Sequence, residues 1–322
     1  MEDDSNKIKD LISVVLSFRN EQEVIPELIG RLQKVFRSMN FDYELIFVND
    51  DSTDHSLQKL IEHRQQNERI KIINVSRRFG GAPCIFAGFK HTRGDAVIYM
   101  DTDLQDPPEL IPELLEKWRE GFDVVHTTRT KRKGESLFKM WLTRRAYSMI
   151  NFMSDIDIPQ NTGDFKLLSR RAVDAVLTLN EYDPFLRGLS RWVGFKQTQI
   201  YYEREARFAG ETKYSLFKSS NPYREFLRGI TSFSAMPLYF ALFLGFIVSI
   251  GAFVYLMFVV ISRLFFGMHQ PGWPALMVIM LFLGGTILFT IGVLGIYIAK
   301  IHQDVKNRPK YFIESKMGFD EE

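Results

Sequence analysis

The sequence predicts an α/β domain with a mostly parallel sheet, followed by an interfacial segment and a two-helix transmembrane hairpin. Three observations carry that prediction. Between residues 11 and 126, short apolar runs alternate with stretches of helical periodicity, the pattern of a sheet covered on both faces. Two long uncharged stretches, 237–261 and 275–298, follow. Their connection is so short that they must fold back on each other.

The elements follow in order. Leu11 to Leu16 (LISVVL) reads as the first buried strand. Glu21 to Met39 reads as a helix, because Val24, Ile25, Leu28, Leu32, Val35 and Phe36 recur at helical spacing. Tyr43 to Val48 is the second strand, and Ser52 or Thr53 can cap the helix that runs on to Glu62. Ile70 to Val75 is the third strand, Gly81 to Thr92 a helix, and Ala96 to Met100 the fourth strand. Pro107 and Pro108 suit the start of a helix ending near Glu120, and Phe122 to His126 is the fifth strand.

Charge and cysteine content narrow the function. The 322 residues carry 41 Lys and Arg against 39 Asp and Glu, a net +2 that makes no broad case for nucleic acid as a partner. The single cysteine, Cys84, cannot form an internal disulfide. MEDDSNKIKD is too polar for a signal peptide.

At about 1.5 Å per residue, either uncharged stretch crosses a hydrocarbon core of roughly 30 Å. Arg224, Arg228, Lys300, Lys306, Arg308 and Lys310 flank the hairpin on the side of the soluble part. The positive-inside rule puts that side, with both termini, in the cytoplasm, and the protein in the cell's inner (plasma) membrane. Residues 214–236 mix aromatics with Lys218, Arg224 and Arg228 and read as an interfacial amphipathic segment. Residues 135–153 read either as a second such segment or as an ordinary surface helix. Gly284, Gly285 and Gly292 suit packing within the hairpin or against another copy, so a homo-oligomer stays open.

In a parallel sheet, ligands bind beyond the carboxyl ends of the strands. That rule selects Asn49 to Asp51, Ser76 to Gly81, and Asp101 to Asp106. Asp101 and Asp103 are two apart, so in a continuing strand both carboxylates point to one side. Two converging carboxylates need a positive partner, and a hard divalent cation supplies one while leaving positions open for phosphate oxygens. Gln105 shares their parity and is a third candidate ligand. Asp106, before Pro107, reads as a helix cap. Asp50 has the least local structural work of its run and can accept hydrogen bonds from a nucleobase or ribose. Two acidic sites at one crevice point to a nucleoside diphosphate. Neither GxGxxG after the first strand nor GxxxxGK[ST] anywhere is present.

Several segments, taken in order, resemble the family-2, GT-A-fold glycosyltransferases that act on polyprenyl phosphates, among them dolichol-phosphate mannose synthase and bactoprenol glucosyltransferase. They are DTDLQDPPELIPELLEKWREGFDVV, NTGDFKLLSRRAV, FLRGLSRWVGF, REARFAGETKYSLFK and LFLGGTILFTIGVLGIYIAKIHQDVKNRPKY. The resemblance covers essentially the whole chain. It implies a GT-A domain over 1–213, the interfacial linker 214–236, the hairpin 237–298 and a basic tail 299–322. It implies that Asp50, with Asn20 and Glu21, binds the nucleotide, and that Asp101 and Asp103, with Gln105 nearby, bind Mg2+ or Mn2+ and the donor diphosphate. It places Asp164 near the acceptor as a base, and makes Arg204, Arg207 and Lys213 the phosphate-handling basic group. A monophosphate is mostly deprotonated near neutral pH, so Asp164 reads equally as an orienting group.

The implied reaction is inverting transfer of one sugar from a nucleoside diphosphate sugar to polyprenyl (undecaprenyl) monophosphate in the membrane. A UDP-hexose is the first expectation for the donor, with GDP-mannose or a modified sugar as alternatives. The sequence departs from the family pattern at Ser17, Arg19, Asp51, Arg78 and Gly81, all on the nucleotide and sugar side. Those departures leave room for a changed donor or for a noncatalytic lipid-phosphate-binding protein.

Overall fold

Eight strands form one sheet in the order β7-β5-β6-β4-β1-β2-β3-β8. This computed structural model describes residues 9–130, 145, 148, 151, 162–203, 229–266 and 272–320. The strands are β1 (Leu11–Phe18), β2 (Asp42–Asn49), β3 (Ile70–Val75), β4 (Ala96–Asp101), β5 (Val124–Arg129), β6 (Thr162–Ser169), β7 (Gln197–Tyr202) and β8 (Ile313–Met317). Between them lie helices α1 (Ile25–Arg37), α2 (Ser56–Gln66), α3 (Gly81–Lys90), α4 (Ile111–Arg119), α5 (Arg170–Thr178) and α6 (Leu186–Trp192). The chain divides into two units, one of residues 1–152, 156–229 and 308–322 and one of 153–155 and 230–307.

The first four strands are parallel, with β1 between β2 and β4, and β3 beyond β2. Their runs are mostly apolar because helices cover both faces: Val14, Val15 and Leu16 of β1 are all fully buried, and the buried polar residues Ser13 and Glu44 are hydrogen-bonded to each other. Helix α1 buries Ile25, Leu28, Ile29, Leu32, Val35 and Phe36. β6 enters antiparallel between β4 and β5. The mostly parallel α/β sheet is therefore as expected, with two antiparallel strands, β6 and β8, that the periodicity did not reveal.

Local details differ from the sequence expectations for identifiable reasons. Ser52 and Thr53 do not cap α2, which begins at Ser56; Asp54 Oδ1 accepts the Ser56 N–H instead, at 3.0 Å. The fifth strand is displaced toward Arg129, because Asp123 N is bonded to Lys196 O and Phe122 closes the turn after α4. Residues 313–317 pair antiparallel with β3 rather than trailing as a tail.

The second unit holds helices α7 (Met236–Phe266) and α8 (Trp273–Val305), both long and apolar enough to cross a membrane. Side chains such as Phe243, Phe253, Leu281 and Leu288 are largely exposed along them, a contiguous apolar surface that water does not tolerate. The helices pack on each other as a hairpin, and α8 is also tied to the segment just before α7: Tyr297 Oη donates to Ser234 O at 2.7 Å, and Lys300 Nζ to Ser232 Oγ at 2.6 Å. A Cβ built on Gly284, Gly285 or Gly292 would meet nothing within 4 Å. Close backbone approach inside the hairpin is therefore not what these glycines serve. Residues 214–228 of the interfacial candidate 214–236, and most of 135–153, lie outside the described residues.

Candidate active site

The carboxyl ends of β1, β2, β3 and β4 form one rim, and the acidic residues selected from the sequence lie on it. Asp50 follows β2, and its own N–H donates to Phe18 O at 2.9 Å, tying it to the end of β1. Its carboxylate has more structural work than the sequence implied. Oδ1 accepts the N–H groups of Phe79 at 2.7 Å and Gly80 at 3.1 Å, and Oδ2 also accepts Gly80 N–H at 3.1 Å. The loop after β3 is thereby held at the rim. Gly80 has φ +98°, a conformation side chains rarely adopt, and it leads directly into α3.

Asn20 and Glu21 also clamp loops. Asn20 Oδ1 accepts Thr53 N–H at 2.8 Å, and Asn20 N–H donates to Ser52 Oγ at 3.1 Å. Glu21 N–H donates to Ser56 Oγ at 2.8 Å, which fastens the end of β1 to the start of α2. Asp51, where the family pattern has glycine, sits at φ +55°. Asp51→Gly is accordingly expected to stabilise by up to about 1 kcal/mol, and Asp51→Val to cost about 1–2 kcal/mol. Thermal unfolding of the two variants checks the pair.

β4 stops at Asp101, and residues 102–106 form a turn with Leu104 at φ +57°. The two carboxylates are therefore brought together by a turn and not by strand alternation. Exposure still alternates: Asp101, Asp103 and Gln105 are half-buried, whereas Thr102, Leu104 and Asp106 are buried. Asp103 Oδ1 accepts Gln105 N–H at 3.1 Å, which shapes the turn.

Asp106 is not a helix cap. It is fully buried, and it accepts hydrogen bonds from Arg129 Nη2 at 3.2 and 3.3 Å and from Tyr202 Oη. Arg129 Nε also donates to Tyr202 Oη at 2.9 Å, closing a triad that ties the Asp101–Asp106 turn to the ends of β5 and β7. A Cβ on Gly163 would lie 3.0 Å from Arg129 Nη2, so the glycine of the GDF segment leaves room for this guanidinium.

Asp164 reaches the same rim from β6. Tyr99 pairs with Lys166 across the β4–β6 ladder, and continuing that register sets Asp164 opposite Asp101. Arg187, on α6, donates Nε to Asp164 Oδ1 at 2.8 Å and Nη2 to Oδ2 at 2.5 Å. Behind this pair, Lys166 is fully buried and donates Nζ to Ser190 Oγ at 2.8 Å. Its burial pulls the ammonium down to about 7, against the attraction of Asp164.

The charges of the rim are unbalanced in an informative way. Burial, then the negative charges of Asp164, Asp103 and Asp106, pushes Asp101 up to about 7. Burial also works to raise Asp164, but the charge and paired hydrogen bonds of Arg187 more than offset it and hold the group at about 2. An Asp101 carboxyl crowded by three others, with oxygen donors only, fits a hard divalent cation. Among the described residues, no three His, Cys, Asp or Glu side chains form a ready-made cage. This suits a cation held by one or two carboxylates that takes its remaining ligands from a diphosphate.

With its pKa depressed, Asp164 contributes stability above the ordinary carboxylate range that is lost as pH falls toward 2. Arg187→Gln removes the largest part of the offset and leaves only the charges of Lys166 and Arg129 against burial, so the pKa rises. The variant is then expected to be less stable than the parent at pH 7, with the gap narrowing as pH falls toward 4. Its kcat should drop about 100-fold, since Asp164 is no longer held in place. Unfolding followed as a function of pH, beside turnover at neutral pH, reads both effects.

The sequence reading reached Asp50, Asp101, Asp103 and Asp164; it selected Asp106 with the rim segment but read it as a cap, and it assigned no role to Arg129, Tyr202, Lys166 or Arg187. Arg187 and Lys166 do fall within the FLRGLSRW and GDFK segments, where a buried or clamping charge was the missed signal. Arg204, Arg207 and Lys213 lie outside the described residues.

The comparisons with known proteins agree with this architecture. The profile of "Glycosyl transferase family 2" matches residues 13–177. The chain is 44% identical over 308 residues to an uncharacterized glycosyltransferase, YkcC, of Bacillus subtilis, covering 96% of this chain and 94% of that one. It is 38% identical over 304 residues to a bactoprenol glucosyl transferase of Shigella phage SfII, covering 94% and 97%. The solved mannosyl-3-phosphoglycerate synthase of Rubrobacter xylanophilus superposes with a TM-score of 0.50 at 18% identity, covering 69% of this chain and 73% of that one, a likeness of fold. With the GT-A sheet, the acidic rim and relatives spanning nearly its full length, the chain belongs to glycosyl transferase family 2 and is a glycosyltransferase.

Proposed function

We propose that the protein transfers one sugar, with inversion, from a nucleoside diphosphate sugar to a polyprenyl monophosphate at the cytoplasmic face of the membrane. A UDP-hexose and undecaprenyl phosphate are the favoured substrates. The observation that carries this reading is the meeting of Asp50, Asp101, Asp103 and Asp164 at one rim of a family-2 sheet whose chain continues into an apolar hairpin. The full-length likeness to a bactoprenol glucosyl transferase supports the lipid acceptor. The basic flanks of the hairpin support a cytoplasmic catalytic unit and termini.

Asp50, Asn20 and Glu21 frame the nucleotide end of the rim. Asp101 and Asp103, with Gln105 beside them, would hold Mg2+ or Mn2+, which when bound supplies positive charge against the departing diphosphate. Arg204, Arg207 and Lys213 bind the acceptor phosphate, offsetting the repulsion between a dianion and the donor. A phosphate oxygen attacks the anomeric carbon as the bond from that carbon to the diphosphate breaks, so the configuration inverts. The attacking phosphate has little proton to lose near neutral pH. Asp164, ionised and gripped by Arg187, is a weak base and serves to orient the acceptor or a sugar hydroxyl.

The test is a donor screen with purified protein in mild detergent, undecaprenyl phosphate, Mg2+ or Mn2+, and a panel of nucleotide sugars. Mass spectrometry of the lipid is expected to show a mass gain of one sugar from one donor, dependent on metal. Properly folded protein that binds the lipid but gives no product from any donor would favour a noncatalytic lipid-phosphate-binding role.

A further inference from the structure

The segment after α8 does more than close a sheet edge. β8 pairs with β3 so that Ile313 lies opposite Val75, which puts Phe312 at the carboxyl-end rim. Phe312 O accepts Ser76 N–H at 2.9 Å. The Phe312 ring lies 6.4 Å from that of Phe79, tilted by 49°, and the Arg77 guanidinium covers Phe79 at 4.2 Å. Phe79 is the residue whose N–H is bound by Asp50. Phe312 is therefore anchored beside the loop that Asp50 organises, yet it is 56% exposed.

Its neighbours sharpen the point. Outward positions alternate with inward ones here, and the outward row reads Phe312, Glu314, Lys316. Charged residues fill the row except at the rim, where a phenylalanine stands uncovered. Exposed apolar side chains are common singly on protein surfaces. This one has its backbone fixed by the ladder, an aromatic neighbour, a guanidinium close by and a carboxylate-held loop beneath. Flat rings with a nearby cation are the sequence-tolerant way to hold a nucleobase.

We propose that Phe312, with Phe79 and Arg77, forms a shelf on which the base of the donor nucleotide stacks. The segment that follows the membrane hairpin thus completes the donor site. The inference rests on the nucleotide-sugar reading given above. It makes Phe312 a binding residue, so its loss acts on donor affinity and not on the chemical step.

The test uses the full-length protein in detergent, with UDP and GDP titrated separately by calorimetry, and steady-state transfer from the donor found in the screen. Phe312→Ala is expected to raise Kd for the bound nucleoside diphosphate and KM for the donor about tenfold. Its kcat should stay within about twofold, and its thermal unfolding without nucleotide should match the parent. Phe312→Tyr should restore both constants. Unchanged Kd and KM in Phe312→Ala would overturn the shelf while leaving the transferase reading intact. A fall in kcat and nucleotide-free stability that tyrosine does not rescue would also overturn it, by making Phe312 a packing residue. If the parent itself binds neither nucleotide and uses no nucleotide sugar, the shelf and the donor reading fall together.

Discussion

Asp103→Asn is expected to lower sugar transfer by about 10³-fold, equivalent to about 4 kcal/mol of transition-state stabilisation, while leaving the protein folded and inserted. The substitution is nearly isosteric. Asn can keep the hydrogen bond that Asp103 Oδ1 accepts from Gln105 N–H, so the turn should survive. What is lost is one of two half-buried anionic oxygen donors at the end of β4. A hard cation discriminates strongly between a carboxylate and an amide oxygen. A second readout separates this from general damage: Mn2+ should tighten UDP binding to the parent and do so much less in the variant. Normal turnover by Asp103→Asn would remove the metal site from the account.

The parallel half of the sheet was readable in the sequence because its strands are buried on both faces and therefore appear as predominantly apolar runs. LISVVL and YELIFV announce themselves in this way, each with a single buried polar break, Ser13 and Glu44. β6 and β8 did not. β6 carries Asp164 and Lys166 in its interior, and their charges break the apolar run that marks a strand. β8 reads IESKM, an edge strand with alternating charges, which resembles a polar tail until β3 is seen to need a partner on that side.

The same contrast holds at the rim. Asp101 and Asp103 could be found because position after a strand is enough to flag them. Asp106 could not be told from a cap, because Asp before Pro has the same local signature in either role. Only the arrival of Arg129 and Tyr202, 23 and 96 residues further along the chain, separates the two. Asp50 was selected correctly as a rim residue for an incomplete reason: its bonds run to backbone N–H groups of a loop about 30 residues away, which no local pattern records. Long-range polar pairing is what sequence spacing conveys least, and this site is built largely from it.

That dependence sets the size of the second effect. Asp106→Ala is expected to destabilise the catalytic unit by about 3–5 kcal/mol, because it strands the Arg129 guanidinium in a site where its side chain is only 10% exposed. In the parent, burial opposes the charge on Arg129, and Asp106, with Tyr202 behind it, more than compensates, so the pKa of Arg129 is raised. Asp106→Asn keeps a partner for Tyr202 Oη but loses the charge, and should cost less, about 1–3 kcal/mol. Arg129→Met added to Asp106→Ala should recover much of the loss, since the unpaired charge goes with it. Cys84 supplies a reporter confined to this unit: it is the only cysteine, its side chain is fully buried, and burial raises its thiol pKa further. Its rate of labelling by a thiol reagent should rise in Asp106→Ala and fall back in the double variant. Labelling and thermal unfolding that match the parent in Asp106→Ala would mean that the triad does not hold the Asp101–Asp106 turn. Transfer should fall with stability in the single variant, because the turn that presents Asp101 and Asp103 is anchored at its far end by Asp106. The double variant separates the two contributions: stability restored without activity would show that the ion pair sets the position of the turn as well as its stability.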